Sequence, residues 1–363
     1  MEQYYKFISN PGLNRQILDS IADLIRVIDF KNQIIYANKA LQDLLGYDTE
    51  RKLSRIDREG IDTVISRRTY ETGEVIQREE TIGGKLYSVK SSPLEKDGHV
   101  IGVVEVFRNI DKEQMLLSEI MERNKAMTIE MNHAQKIQSA LLPAKGFLST
   151  LKVDYLYHPS NMLSGDMFDI FPINDDNVGI YIADTVGHGF ASSMITMFIR
   201  IAMRNISRDK KLAPAKLLEE LSQRFVNLGL DGETYFTCFY CVYNKKKSLL
   251  TYANAGHFPS PIVATEKGSE ELVLSGFPIS PFFKGSGYES DSIRLKTGDK
   301  LCLMTDGLSE TMDYNGEQFG TDRVKAILQD NDNDELLVLK RAVYNFMWGE
   351  QRDDLTALLI KVW

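Results

Sequence analysis

VGIYIADTVGHG (Val178–Gly189) sets an apolar run of strand type directly against Asp184 and follows it with Gly187, His188 and Gly189. A strand fixes the direction of the side chain at its end, and glycine lets the backbone turn at once. The arrangement recurs in LCLMTDGLSE, where Gly307 follows Asp306. In QRDDLTALLIKVW, Asp353 and Asp354 stand before the apolar run, and LSGDMFD adds Asp166 and Asp169. Taken singly, Asp-Gly is a turn signal. Carboxylates converging from several strand ends make an all-oxygen pocket, which suits a hard divalent cation such as Mg²⁺ or Mn²⁺.

The chain has 363 residues and a formal net charge of -8, enough length for two domains and a linker. No basic stripe is present, and Lys245-Lys246-Lys247 reads as a hairpin tip, so nucleic acid is not an expected partner. No apolar run is long enough to span a membrane, and MEQYYKFISN lacks the regions of a signal peptide. Three cysteines, Cys238, Cys241 and Cys302, fit a reducing compartment, so a cytoplasmic location is expected. Cys238 and Cys241 lie three apart in a strand pattern and should point to opposite faces. Core cysteines are therefore expected, rather than a redox or zinc pair. No Arg stands where a cysteine-phosphatase loop would need it.

Three segments follow from the patterning. In residues 1–110, Leu24–Phe30 and Ile34–Ala37 read as strands, Asn38 starts a short helix ending near Gly46, and two more strands flank Lys96-Asp97-Gly98. VIDFKNQIIYANKALQDLLGY in this segment resembles the start of a PAS sensor domain. The segment has no Cys, and its one His, His99, lies in a turn, so neither a cysteinyl flavin adduct nor a haem is expected. A protein partner, a small ligand or plain dimerisation stays open.

Residues 111–143 carry a long helical pattern closed by Pro143. Leu117, Ile120, Asn124, Met127, Met131, Ala134, Gln138 and Leu141 recur at the spacing of a coiled-coil seam. Ile137 is more apolar than Gln138, so the seam is expected to shift to the neighbouring stripe there. A homodimer with an adjustable linker helix is the expectation; a single helix packed on its own domain is the alternative. His133 in this helix invites a histidine-kinase reading, but no ATP-binding pattern follows it.

Residues 144–363 alternate strand and helix patterns in an α+β arrangement. In order, the chain reads AxxIQxxLLP (Ala134–Pro143), SGDMFD, ADTVGHG, YANAGH, TDGLSE and RDDLT. This series resembles the metal-dependent PPM protein phosphatases, in particular their SpoIIE/RsbU-like branch. The resemblance implies an αββα sandwich: two stacked antiparallel sheets flanked by helices. It implies two divalent cations, Mn²⁺ or Mg²⁺, held by Asp184, the Thr185 carbonyl, Asp306 and Asp353, with Asp166 completing the set and Asp354 beside it. Asp169, Gly187, His188, Asn254, Gly256, His257 and Gly307 would shape the pocket. GFPISPF (Gly276–Phe282) departs from the family pattern at a loop beside that pocket.

The chemistry implied is hydrolysis of phosphoserine or phosphothreonine. Such in-line displacements are served by two cations about 3.5–4 Å apart, which clamp the attacking and leaving oxygens, so no protein nucleophile is needed. By the same resemblance the substrate is a phosphorylated anti-anti-sigma factor of the STAS type, whose dephosphorylation frees a sigma factor. The alternative is a catalytically inactive phosphatase-like scaffold.

Overall fold

The structure is a computed structural model that describes residues 11–31, 33–45, 64–187, 189–330 and 334–363. The chain divides into two units, Met1–Ala126 and Met127–Trp363. The division falls inside the long helix rather than at either of its ends.

In the first unit, α1 (Pro11–Asp19) precedes β1 (Leu24–Asp29), β2 (Ile34–Ala37), α2 (Lys39–Leu45), α3 (Val64–Thr72), β3 (Ile76–Ile82), β4 (Lys85–Lys96) and β5 (His99–Asn109). The strands form one antiparallel sheet in the order β2-β1-β5-β4-β3. Leu24, Ile28, Leu41, Ile65, Val89 and Phe107 make its core. Asn38 does start α2: its Oδ1 accepts the Leu41 N–H at 3.1 Å and the Ile25 N–H at 3.0 Å. The expected end of that helix near Gly46 lies outside the described residues.

α4 (Asp111–Ala140) follows. Leu117, Ile120, Met127 and Ile137 on it are about half exposed. Gln138 is the buried residue of this helix, at 1% exposure. Here apolar Ile137 faces out, and polar Gln138 faces in against its own unit. The reason is a set of hydrogen bonds described below.

The second unit holds two sheets. One runs β14-β11-β10-β9-β8 and the other β13-β12-β15-β16-β7-β6. The first is built from β8 (Asp166–Pro172), β9 (Asn177–Thr185), β10 (Phe236–Asn244), β11 (Leu249–Ala255) and β14 (Asp291–Arg294). The second uses β6 (Gly146–Leu148), β7 (Leu151–His158), β12 (Ile262–Thr265), β13 (Gly268–Glu271), β15 (Lys300–Met304) and β16 (Leu355–Val362). Helices α5 (Phe190–Asn205), α6 (Arg208–Lys211) and α7 (Pro214–Val226) follow β9, α8 (Asp306–Ser309) and α9 (Gly320–Asp330) follow β15, and α10 (Glu335–Phe346) precedes β16.

Strand alternation sorts the side chains into layers. Phe168, Ile170, Ile180, Ile182 and Phe239 meet Leu301, Leu303, Leu358 and Ile360 between the sheets. Met167, Phe171, Ala183 and Tyr240 take the other face of the first sheet, under Ile199, Leu217, Leu221 and Phe225. Met304, Ala357 and Leu359 pack under Val324, Leu328, Leu339 and Val343 on the far side. This is the expected αββα sandwich. Cys238 and Cys241 are buried in different layers, as their spacing requires. β12, β13 and β14 are short edge or near-edge strands that the pattern did not reveal.

Candidate metal centre and active site

Asp166 opens β8 and pairs in register with Asp184 near the end of the antiparallel β9. Both share the inter-sheet face with the paired residues Phe168, two positions after Asp166, and Ile182, two positions before Asp184. From the second sheet, β15 ends at Met304, and Thr305 leads directly into Asp306 at the start of α8. β15 pairs with β16, whose first residue follows Asp353 and Asp354. Asp166, Asp184, Asp306 and Asp353 therefore gather at one end of the inter-sheet gap. Asp166 is a strand beginning rather than a strand end; antiparallel pairing is what brings it to Asp184.

The carboxylates feel one another. Burial, then the charges of Asp184 and Asp354, push Asp166 well above the usual carboxylate range. Burial, then Asp306 and Asp353, raise Asp184 to about 8. Burial, then Asp353 and Glu310, raise Asp306 to about 6. Like charges held together in a half-dry site favour protonation or a counter-cation. Among the described residues, no three His, Cys, Asp or Glu side chains are gathered tightly enough to close around one ion by themselves. The donor set, all carboxylate and carbonyl oxygen, nonetheless fits a hard divalent cation.

Buried hydroxyls hold the set in place. Thr305 donates its hydroxyl to Asp166 Oδ2 at 2.9 Å. The Thr185 N–H and hydroxyl both reach the Gly165 carbonyl, at 3.1 and 3.0 Å. Asp354 behaves unlike Asp353. Its Oδ1 accepts the Ser160 N–H and hydroxyl at 2.7 and 3.0 Å, and its Oδ2 accepts the Ser164 hydroxyl and Gly165 N–H at 2.6 and 2.8 Å. Its oxygens are occupied by the loop before Asp166, so it braces that loop. Gly307 is required by close approach: a Cβ there would lie 2.3 Å from the Asp354 carbonyl oxygen.

Asp169, expected in the pocket, faces the other way. Three residues from Asp166 on one strand, it points to the helical layer and pairs with Arg200 and Arg204 of α5. His257 is buried, and its Nε2 lies 3.0 Å from the Met304 carbonyl. A carbonyl only accepts, so Nε2 carries the proton and Nδ1 accepts from the Thr237 hydroxyl at 3.2 Å. Burial lowers its pKa to about 4, so the ring is neutral at pH 7 and ties the sheets together. Asn254 accepts the His257 N–H at 2.8 Å, and Gly256 turns between them with φ 70°. Gly187 has φ 77°, in the turn that follows Asp184; His188 lies outside the described residues.

Gln138 joins this framework. Its Nε2 donates to the Ser164 carbonyl at 2.8 Å and to the Thr196 hydroxyl at 3.1 Å, and its Oε1 accepts the Ser164 N–H at 3.1 Å. Ser164 in turn accepts from the Asp166 N–H at 3.0 Å. Ser160, Ser164, Thr196, Thr237 and Thr305 were not singled out in the sequence. Ser164 and Thr305 could have been, since each stands within two residues of a motif aspartate.

The family model described as Stage II sporulation protein E (SpoIIE) matches residues 174–363, more than half of the chain. The chain belongs to this family. Asp166 and Gln138 lie before the matched segment and join the site through the structure. A PAS domain model matches residues 13–80. The phosphoserine phosphatase RsbP of Bacillus subtilis (strain 168) is 29% identical over 185 residues, which is 50% of this chain and 45% of that protein. RsbU of the same organism, also a phosphoserine phosphatase, is 28% identical over 189 residues, 52% of this chain and 55% of that protein. The chain thus spans about half the length of these curated relatives. Among solved structures, the SiaA-PP2C domain of Pseudomonas aeruginosa matches with a TM-score of 0.59 at 23% identity, over 66% of this chain and 98% of that one. The second unit of this SpoIIE-family chain has the PP2C-type fold.

Proposed function

We propose that this SpoIIE-family chain is a metal-dependent protein serine/threonine phosphatase. The convergence of Asp166, Asp184, Asp306 and Asp353, with the raised pKa values of the first three, carries the reading. Asp184, Asp306, Asp353 and the Thr185 carbonyl would hold two divalent cations, Mn²⁺ or Mg²⁺. Bound there, the cations supply Lewis-acid activation of water and neutralise phosphate charge. The chain's own residues do the positioning. Thr305 and Ser164 orient Asp166, and Asp354 braces the loop that carries it. His257, neutral, fixes the floor. No cysteine serves as nucleophile: Cys238, Cys241 and Cys302 are all buried, and burial pushes their thiols up, Cys302 to about 12.

The substrate we propose is a phosphorylated STAS-domain anti-anti-sigma factor, with sigma-factor release as the outcome. Two observations support this: the likeness to RsbP and RsbU, both named phosphoserine phosphatases, and a PAS domain ahead of the catalytic unit. Residues 1–110 would sense a partner or small ligand, 111–143 transmit, and 144–363 catalyse. The exposed seam of α4, including Leu117, Ile120 and Met127, would pair with a second copy. No helix among the described residues is long and apolar enough to cross a membrane. Phosphate release from purified phosphorylated STAS proteins with Mn²⁺ tests the substrate. Turnover no faster than on an unrelated phosphoserine peptide would remove the STAS assignment.

A further inference from the structure

A groove of about 390 Å³ opens beside the carboxylates, and Gly307 and Asp353 belong to its lining. One wall follows α8 and the other follows α10. The walls are fixed to each other and within themselves: the Trp348 N–H donates to the Met312 carbonyl at 2.9 Å, and Met312 bridges to Gln318. Asp313 accepts the backbone N–H groups of Asn315 and Glu317, both at 2.8 Å, which sets the turn that carries Tyr314.

Two large aromatic side chains line this groove and stay exposed, Tyr314 at 73% and Trp348 at 69%. Their rings stand edge to face with centroids 6.3 Å apart. Exposed Met312 adds to the apolar surface. The charge is lopsided. Glu310, Asp313 and Glu350 line the groove outside the catalytic set, against Arg352 as the lining cation. Aromatic faces beside carboxylates favour a cationic side chain with an apolar stem or neighbour.

We infer that this groove docks the polypeptide of the phosphoprotein substrate, through a segment near the phosphorylated residue that carries an apolar side chain and a Lys or Arg. The inference rests on the phosphatase reading above and adds where substrate selection occurs. Continuity with Asp353 places any occupant next to the reacting phosphate. Binding energy gathered there would serve positioning.

The test uses the full chain with Mn²⁺ and phosphoserine peptides that differ only in Lys or Glu, placed in turn at each position near the phosphoserine and beside a Leu. p-Nitrophenyl phosphate is the small reference ester. The wild-type protein should prefer one Lys peptide over its Glu counterpart by about tenfold in kcat/KM, mostly through KM. Glu350→Lys should erase or invert that ratio, and Glu350→Gln should reduce it. Glu350 is exposed, whereas Glu310 acts on Asp306 and is left intact. Trp348→Ala should raise KM for both peptides by about tenfold. Turnover of p-nitrophenyl phosphate with equal kcat/KM on every peptide pair overturns the groove and leaves the activity standing. So does a ratio unchanged by Glu350→Lys. No turnover of any ester overturns the phosphatase reading itself, and the docking inference with it.

Discussion

Thr305, the residue before Asp306, donates its hydroxyl across the inter-sheet gap to Asp166 Oδ2 at 2.9 Å. The bond joins the two sheets at the point where their carboxylates meet. A hydrogen bond to a charged group is worth about 1.5–3 kcal/mol. Expressed in the reacting state, that is roughly a tenfold to hundredfold rate effect. Thr305→Val should lower kcat/KM by this amount and raise the Mn²⁺ concentration needed for half-activity, while Thr305→Ser restores both. Normal metal dependence in Thr305→Val would show that Asp166 needs no such support.

Asp353 and Asp354 are chain neighbours with different tasks. Asp354→Asn places an amide N–H₂ against either the Ser160 or the Gly165 N–H, whichever way it turns. It should cost about 1–3 kcal/mol of stability. Asp353→Asn removes an exposed carboxylate from the end of the gap. It should abolish metal-dependent activity with little change in melting temperature. Chemical denaturation and phosphate release, measured on both variants, separate the two roles. The reverse pattern would exchange them.

Metal-stripped protein should lose stability as pH rises. Asp306 and Asp184 stand at about 6 and about 8, against an ordinary value of 3.8. Across that window the folded state keeps protons that the unfolded state has already lost, so stability falls with increasing pH. Mn²⁺ should reverse the trend, and Asp184→Asn should flatten it. Thermal melts from about pH 6 to about pH 8, with and without Mn²⁺, read this directly. A metal-free stability that rises over the window would contradict the mutual repulsion of these carboxylates.

Gln138 couples the linker helix to the loop that carries Asp166. Gln138→Ala in the full chain removes bonds to Ser164 and Thr196. It should change kcat/KM by about tenfold, with the fold retained by circular dichroism. Activity equal to wild type would leave the helix as a spacer only.

Much of this was legible from residues alone. Apolar runs abutting Asp184 and Asp306 showed strands delivering carboxylates, and β15 lies where its pattern put it, Lys300–Met304. Asp166 was harder, because SGDMFDIFP does not show that a strand starts at the aspartate. Its role depends on antiparallel pairing with β9, a long-range fact. Asp169 and Asp354 were placed near the metals by adjacency in sequence. Strand alternation turns Asp169 to the helices, and Ser160, Ser164 and Gly165 occupy Asp354. Gln138 is buried against its own unit because Ser164 and Thr196 on other segments take up its amide. Such partners leave no periodic trace.

The most direct measurement is Mn²⁺-dependent release of phosphate from a phosphoserine protein by the full chain, alongside Asp184→Asn. The account predicts turnover that vanishes with chelator, returns with Mn²⁺, and is lost in Asp184→Asn although the variant folds. Undiminished hydrolysis by Asp184→Asn, or hydrolysis indifferent to chelator, would contradict it.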